Sequence, residues 1–167
     1  HPNLPRIDGK PVVATFWAFR ASPEYWRDFR AELANRGVRL FLVGDPDSHW
    51  ARPATPAEHA RYTGCFDMIY SFGELGRGGK QPLAETFRVL AESAKTTASS
   101  GQWMGGVKPG YLGAWLNGRN DFYNPFNGFD QYWLSWEHAV ANDTAWMHLT
   151  TWNDLDETPL QPMVFQF

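Results

Sequence analysis

The chain has 167 residues, enough for one domain with its own hydrophobic core. The 15 Lys and Arg residues are balanced by 18 Asp and Glu, and the net charge of −3 excludes nucleic acid and anionic membranes as favoured partners. No apolar run reaches the roughly 18 residues that a membrane-spanning helix needs. The one cysteine, Cys65, has no internal disulfide partner and is expected to fill the core.

The first half of the chain predicts three strand–helix units. Apolar runs rich in β-forming residues predict strands over residues 12–18, 38–43 and 66–72. Ser22 and Pro23 predict the start of a helix that stops at Gly37, and Thr55 with Glu58 predicts a capping box on a second helix. A third helix is predicted by an apolar stripe: Leu83, Phe87, Leu90, Ala91 and Ala94.

The second half predicts a glycine-bearing strand over 103–107, a helix marked by Phe129, Tyr132, Trp133, Trp136 and Val140, and a last strand over 145–149 that is buried on both faces. Between them, residues 108–128 show no periodicity and are expected to form a binding loop. Rings interleaved with amides and charges make Tyr111, Trp115 and Tyr123 candidate ligand-binding residues, although such rings also pack loops onto a core.

Strands that alternate with helices at this spacing predict an α/β fold with parallel βαβ units. Such units build either an open doubly wound sheet or a closed barrel. Neither G-x-G-x-x-G nor G-x-x-x-x-G-K-[ST] occurs in the sequence, so a nucleotide-binding sheet is less favoured. A flavodoxin-like domain with Asp45 as its strand-end acid remains the alternative.

The acidic turn, which we define as residues 151–159, follows the last predicted strand directly. Asp154 and Glu157 lie three residues apart, so one turn of helix sets both carboxylates on the same side. Two such groups can hold different pKa values and act as acid and base in one site. The simpler interpretation is a helix start with Asp154 as N-cap and Glu157 completing a capping box.

Other strand ends add candidate substrate-binding residues. Trp17 lies at the end of a predicted strand, and Asp45 and Glu74 follow one, where a barrel keeps its binding groups, although the two acids also suit helix caps or solvated charge. Arg20, Asp47, Ser71 and Lys108 lie close to the same ends. The histidines show no paired metal-ligand spacing, so no metal or other cofactor is expected, and His148 is predicted to be a satisfied core residue.

With these residues in hand, the chain resembles the α-1,3-glucanases of glycoside hydrolase family 71 and, more distantly, the endo-α-mannosidase barrels of family 99. Family 71 shows a turn of the type W-N-D-Y-G-E-S, and this chain has W-N-D-L-D-E-T from Trp152 to Thr158. Leu155 stands where the family has an aromatic residue, and Asp156 where it has a glycine.

The resemblance implies a (β/α)8 barrel of which this chain forms about the last five βα units, since a complete barrel typically needs roughly 200 to 250 residues. The remaining strands are expected upstream or from another chain. It also implies an inverting glycosidase for an α-linked polysaccharide or oligosaccharide, in an extracellular setting. Asp154 and Glu157 would be catalytic, with Trp152 and Asn153 beside them as substrate-binding residues. A non-catalytic carbohydrate-binding barrel and an endo-α-mannosidase-like hydrolase are the alternatives.

Overall fold

A computed structural model describes residues 3–47, 54–72, 83–107, 111–112, 123–124 and 130–149. The strands are β1 (Arg6–Ile7), β2 (Lys10–Thr15), β3 (Phe41–Gly44), β4 (Met68–Tyr70), β5 (Gln102–Val107), β6 (Tyr111–Leu112), β7 (Tyr123–Asn124) and β8 (Trp146–Leu149). The helices are α1 (Pro23–Asn35), α2 (Pro56–Ala60), α3 (Leu83–Thr97) and α4 (Asp130–Ala141), with a 3₁₀ turn over Ala18–Arg20.

Local sequence signals explain where the helices begin and end. The Ser22 hydroxyl accepts the backbone N–H of Tyr25, and Pro23 occupies the first turn of α1, where a missing N–H costs nothing. Thr55 and Glu58 form the predicted capping box at α2. Gly37 follows α1 with a φ of 70°, a left-handed conformation that favours glycine.

The sheet is a single curled layer in which the chain order of the strands is also their spatial order. The sequence β2-β3-β4-β5-β8 is parallel throughout, and β1 adds an antiparallel hairpin against the start of β2. A doubly wound domain would reverse its strand order at a switch point, and this sheet does not. The half-barrel arrangement therefore confirms the predicted fold class and rules out the flavodoxin-like alternative.

Two separate hydrophobic clusters show that the faces of the sheet differ. The outer cluster contains Leu42 and Ile69 from the strands and receives Phe87 and Leu90 from α3 and Ala139 from α4. The inner cluster is built from strand residues and the residues that flank them: Phe41, Val43, Met68, Tyr70 and Met104, with Ile7, Val12 and Phe72 against it. Since the helices contribute to the outer cluster, the inner face is the interior of the barrel.

Three features of the sequence prediction need correction. All predicted strands exist, and four of the five are shorter than predicted, whereas β5 begins one residue earlier; Ala18 lies in the 3₁₀ turn rather than in β2. The segment 108–128 is not wholly irregular, because β6 and β7 pair within it as a small antiparallel ladder. The hairpin strand β1 was not predicted, since two residues are too few to show a strand period.

The last strand and helix also differ from the prediction. Trp146 and Leu149 of β8 are 38% and 46% exposed, so β8 is an edge strand rather than one buried on both faces. Trp133 and Val140 of α4 are 61% and 66% exposed, whereas the helix buries Ser135 and Ala139. The apolar stripe was assigned to the buried face, but the sheet stops beside it and leaves it uncovered.

Candidate active site

The site lies at the carboxyl ends of the parallel strands, which all meet at one rim of the curled sheet. We call this rim the mouth. Barrel enzymes assemble their chemistry there, because the loops that leave the strands converge on one opening. Of the predicted site residues, Trp17 and Asp45 are described in full, and they follow the neighbouring strands β2 and β3.

Asp45 is a carboxylate almost completely removed from solvent at the mouth. Only 1% of it is exposed. By strand alternation it continues the inward row of Phe41 and Val43, and its Oδ1 accepts the backbone N–H of Asp47 at 3.3 Å. Asp47 in turn accepts the hydroxyl of the buried Ser71 at 3.0 Å. The ends of β3 and β4 are thus joined by an acidic, hydrogen-bonded pair of loops.

Two contacts between the ends of β2 and β4 pass over the end of β3. The Tyr70 hydroxyl donates to the carbonyl oxygen of Thr15 at 3.0 Å. The rings of Phe16 and Phe72 meet edge to face, with centroids 4.6 Å apart. Asp45 lies at the end of the strand between them.

An aromatic wall continues around the rim on both sides. Trp17 stacks on Phe16 with centroids 4.9 Å apart. On the far side, the ring of His148 on β8 lies edge-on to Tyr70 at 5.1 Å and nearly parallel to Phe72 at 6.5 Å. His148 is therefore a partly buried residue of the inner face close to the mouth, in contact with the rings of Tyr70 and Phe72.

Trp17 has an unusual backbone conformation, with φ 55° and ψ 44°. A bulky residue with a left-handed backbone is a real outlier, and such conformations cluster at functional sites. The turn lets the chain leave β2 and enter the 3₁₀ turn while the indole stays stacked at the rim. The role of Trp17 in substrate binding stays a prediction.

Most of the other predicted site residues lie outside the residues that the structure describes. These are Asp154, Glu157, Trp152, Asn153, Trp115 and Glu74. The backbones of Tyr111 and Tyr123 lie on the paired strands β6 and β7, where Tyr111 is opposite Asn124 and Tyr123 is opposite Leu112. The ladder brings these two predicted residues into one element.

Sequence reasoning missed Phe16, Tyr70 and Phe72 as site residues. Each lies at or beyond the end of a strand and faces inward or over the rim, and Phe16 is 55% exposed although it is apolar. Alternation from the inward Met68 points to Tyr70 and Phe72, so the signal was present in the sequence.

The structure has been compared with known proteins. No family model matches the sequence, and no curated protein matches it. Two solved structures of a family 99 endo-α-mannosidase from Bacteroides thetaiotaomicron, one of them in complex with bis-tris-propane, superpose with TM-scores of 0.70 and 0.68 at 16% sequence identity. A structure described as a glycoside hydrolase-like protein superposes with a TM-score of 0.69, also at 16% identity.

The fold is that of about half a (β/α)8 barrel. Each comparison covers 94% of this chain but only 46–48% of the other, so the chain spans about half the length of the proteins it resembles. Two of these neighbours are described as family 99 endo-α-mannosidases, as the more distant of the two predicted resemblances implies, and the third only as glycoside hydrolase-like; none of these three is described as a family 71 protein.

The arrangement combines apolar ring faces with buried and half-buried carboxylates. Rings of this kind cover the C–H faces of a sugar, and carboxylates accept hydrogen bonds from its hydroxyls. Among the described residues no group of three or more His, Cys, Asp or Glu side chains is placed to hold a metal ion. None of the described helices has the length and apolarity to cross a bilayer.

Proposed function

We propose that this chain contributes the catalytic carboxylates of a glycoside hydrolase that cleaves an α-linked glycan. The observation that carries the proposal is the mouth itself, where the buried Asp45 and a row of aromatic rings lie at one rim of a fold shared with glycoside hydrolases. The strand β8 ends at Leu149, so the chain that leads to the acidic turn departs from this same rim.

In the proposed reaction Glu157 is the general acid that protonates the leaving oxygen. Asp154 orients or deprotonates the attacking water. Inversion requires the two carboxyl groups to stand about 6.5 to 9.5 Å apart, leaving room for that water. We propose inversion and an α-1,3-glucan-like substrate on the resemblance to family 71, with an α-mannan as the alternative that the family 99 fold favours.

We further propose that the 167 residues form the carboxyl-terminal part of a barrel completed by upstream strands or by another chain. Five parallel strands are described, and closure takes eight. The open edge at β8 exposes Trp146 and Leu149, and the adjoining α4 exposes Trp133 and Val140. One more strand and helix at this edge would cover these four side chains.

The test is hydrolysis of α-1,3-glucan and α-mannan oligosaccharides by the assembled protein and by Glu157→Gln. Removing a general acid costs about 10² to 10⁴ in rate. Asp156→Asn is the matched control, because it removes a charge from the same turn at a position where family 71 has glycine. Full activity of Glu157→Gln on the preferred substrate contradicts the assignment, and the anomer released, followed by NMR, separates inversion from retention.

A glycan-binding barrel without turnover is the second candidate, and the altered turn favours it. Leu155 and Asp156 replace an aromatic residue and a glycine, and Asp lacks the freedom of glycine to adopt positive φ. This candidate predicts saturable glycan binding that Glu157→Gln leaves unchanged, with no release of reducing sugar.

A further inference from the structure

One cation at the mouth is held in place by aromatic rings. The guanidinium carbon of Arg20 lies 4.9 Å from the centroid of the Trp17 ring and 5.8 Å from that of Phe19. Arg20 ends the 3₁₀ turn that follows β2, so it lies on the mouth side of the sheet. Its side chain is exposed, and the contact with Trp17 orders a group that otherwise has many rotamers.

Arg20 differs from the arginines of the helices. Arg36 pairs with Glu32, Arg88 with two glutamates, and Arg30 with the buried Asp67. In the described part of the chain no carboxylate lies within ion-pair distance of Arg20, and no hydrogen bond from its guanidinium is found. Five N–H donors in a fixed fork therefore face solvent beside the site.

The backbone maintains this arrangement at a cost. Trp17 keeps its left-handed conformation, and its indole contacts both the Phe16 ring and the Arg20 guanidinium. A surface arginine needs no such support for solubility alone. A preorganised guanidinium loses less entropy when it binds a planar or tetrahedral anion.

We infer that Arg20 binds an anionic substituent of the glycan, so that the substrate is an acidic α-linked saccharide rather than a neutral one. The inference rests on the proposed function, because it assigns to Arg20 the binding of a charged substrate group at the same mouth. A carboxylate on a uronic acid and a phosphate ester on a hexose present the same chemistry to the fork, two or more oxygens that share negative charge.

The experiment compares three matched α-linked disaccharide probes: neutral, carrying a uronic carboxylate, and carrying a phosphate ester. Kd is measured by calorimetry on the assembled protein, on Arg20→Gln and Arg20→Lys, and on Arg36→Gln as a control in which an exposed, paired arginine of α1 is removed. We expect one acidic probe to bind about 10- to 100-fold more tightly than the neutral one. Arg20→Gln should lower the ratio of acidic to neutral affinity to about one, whereas Arg36→Gln should keep the preference of the unsubstituted protein.

Arg20→Lys distinguishes the two anions. Lysine acts as a point charge, so it should retain a phosphate preference better than a carboxylate preference. Equal binding of all three probes, or an acidic preference that survives in Arg20→Gln, overturns the inference while the proposed function stands. Absence of binding and hydrolysis for every probe overturns both. Equal thermal midpoints for Arg20→Gln and Arg36→Gln show that folding is not the cause of a difference.

Discussion

The two ends of the parallel strands each hold a buried aspartate, and the two are held in different ways. At the amino end of β4, Asp67 receives both guanidinium nitrogens of Arg30 at 2.9 and 3.1 Å, the backbone N–H of Leu42 at 2.9 Å and the hydroxyl of Ser99 at 2.9 Å. At the carboxyl end of β3, Asp45 accepts the backbone N–H of Asp47, and the rings of Phe16 and Phe72 meet edge to face at the same rim.

The difference assigns the two ends separate roles. Asp67 ties α1, β3 and the loop after α3 to one carboxylate, so its charge is matched by fixed donors and it stabilises the fold. Asp45 lies where loops leave the sheet, as binding groups of barrel enzymes do. Barrels in general keep stability at the amino end and chemistry at the carboxyl end.

The largest effect is expected for Asp67→Ala, which tests whether Asp67 stabilises the fold. The change removes the carboxylate that accepts from the Arg30 guanidinium and from the buried Leu42 N–H, and leaves Arg30 only the Cys65 carbonyl oxygen. We expect the free energy of unfolding to fall by about 3 kcal/mol, the low end for breaking a buried pair, since Arg30 is partly exposed. Urea denaturation measures it. Glu32→Gln, which breaks an exposed pair with Arg36, should cost less than about 1 kcal/mol, and equal losses would show that the Asp67 network is not special.

Gly44→Ala tests how tightly the outer face is packed just below the mouth. A Cβ at Gly44 would lie 2.3 to 2.5 Å from ring carbons of the buried Phe66, so the ring or the strand must shift. Overpacking of this kind costs about 1 to 3 kcal/mol of unfolding free energy. In the double variant with Phe66→Leu the two losses should not add, and simple additivity in denaturant unfolding would show that the two sites do not clash.

The comparison also shows what the sequence can and cannot predict. Capping residues such as Ser22 and Thr55 act through neighbours a few positions away, so the helix starts were predictable. The parallel pairing followed from the alternation of elements, whereas the choice of barrel order over doubly wound order depended on the missing glycine motifs and on the family resemblance. The exposure of Trp133 was not predictable, because a periodic stripe does not say whether a partner lies against it.

The site was predictable in its placement but not in its contacts. Asp45 was found because it follows an apolar strand, a local signal. The hydrogen bond from the Tyr70 hydroxyl to the Thr15 carbonyl joins residues 55 positions apart, and no local sequence pattern predicts it. The ion pair between Arg30 and Asp67 spans 37 positions and likewise could not be predicted without the three-dimensional structure.

Acid titration tests whether the negative charge of Asp67 contributes to stability. Burial raises the pKa of Asp67, but the hydrogen bonds from Arg30, Leu42 and Ser99 outweigh it and hold the pKa below its usual value. A lowered folded-state pKa contributes stability above the unfolded value of about 3.9, and that contribution is lost as pH falls through the lower folded-state value. The thermal midpoint should therefore fall as the pH is lowered below about 4, and it should fall less in Asp67→Asn, which has no carboxylate to protonate at this position. Identical profiles would refute a stabilising role for the Asp67 charge.

Asp45→Asn should have the smallest effect on folding and a large effect on function. The amide keeps an oxygen for the Asp47 N–H and removes the cost of a charge buried at 1% exposure. We expect the free energy of unfolding to stay the same or rise by about 0.5 kcal/mol, as relief at a functional site commonly gives. Glycan binding by the same variant should weaken about tenfold, since a carboxylate accepts hydroxyl hydrogen bonds more strongly than an amide. A loss of stability comparable to that of Asp67→Ala, with glycan binding intact, would mean that Asp45 belongs to the scaffold, and the division between the two ends of the strands would not hold.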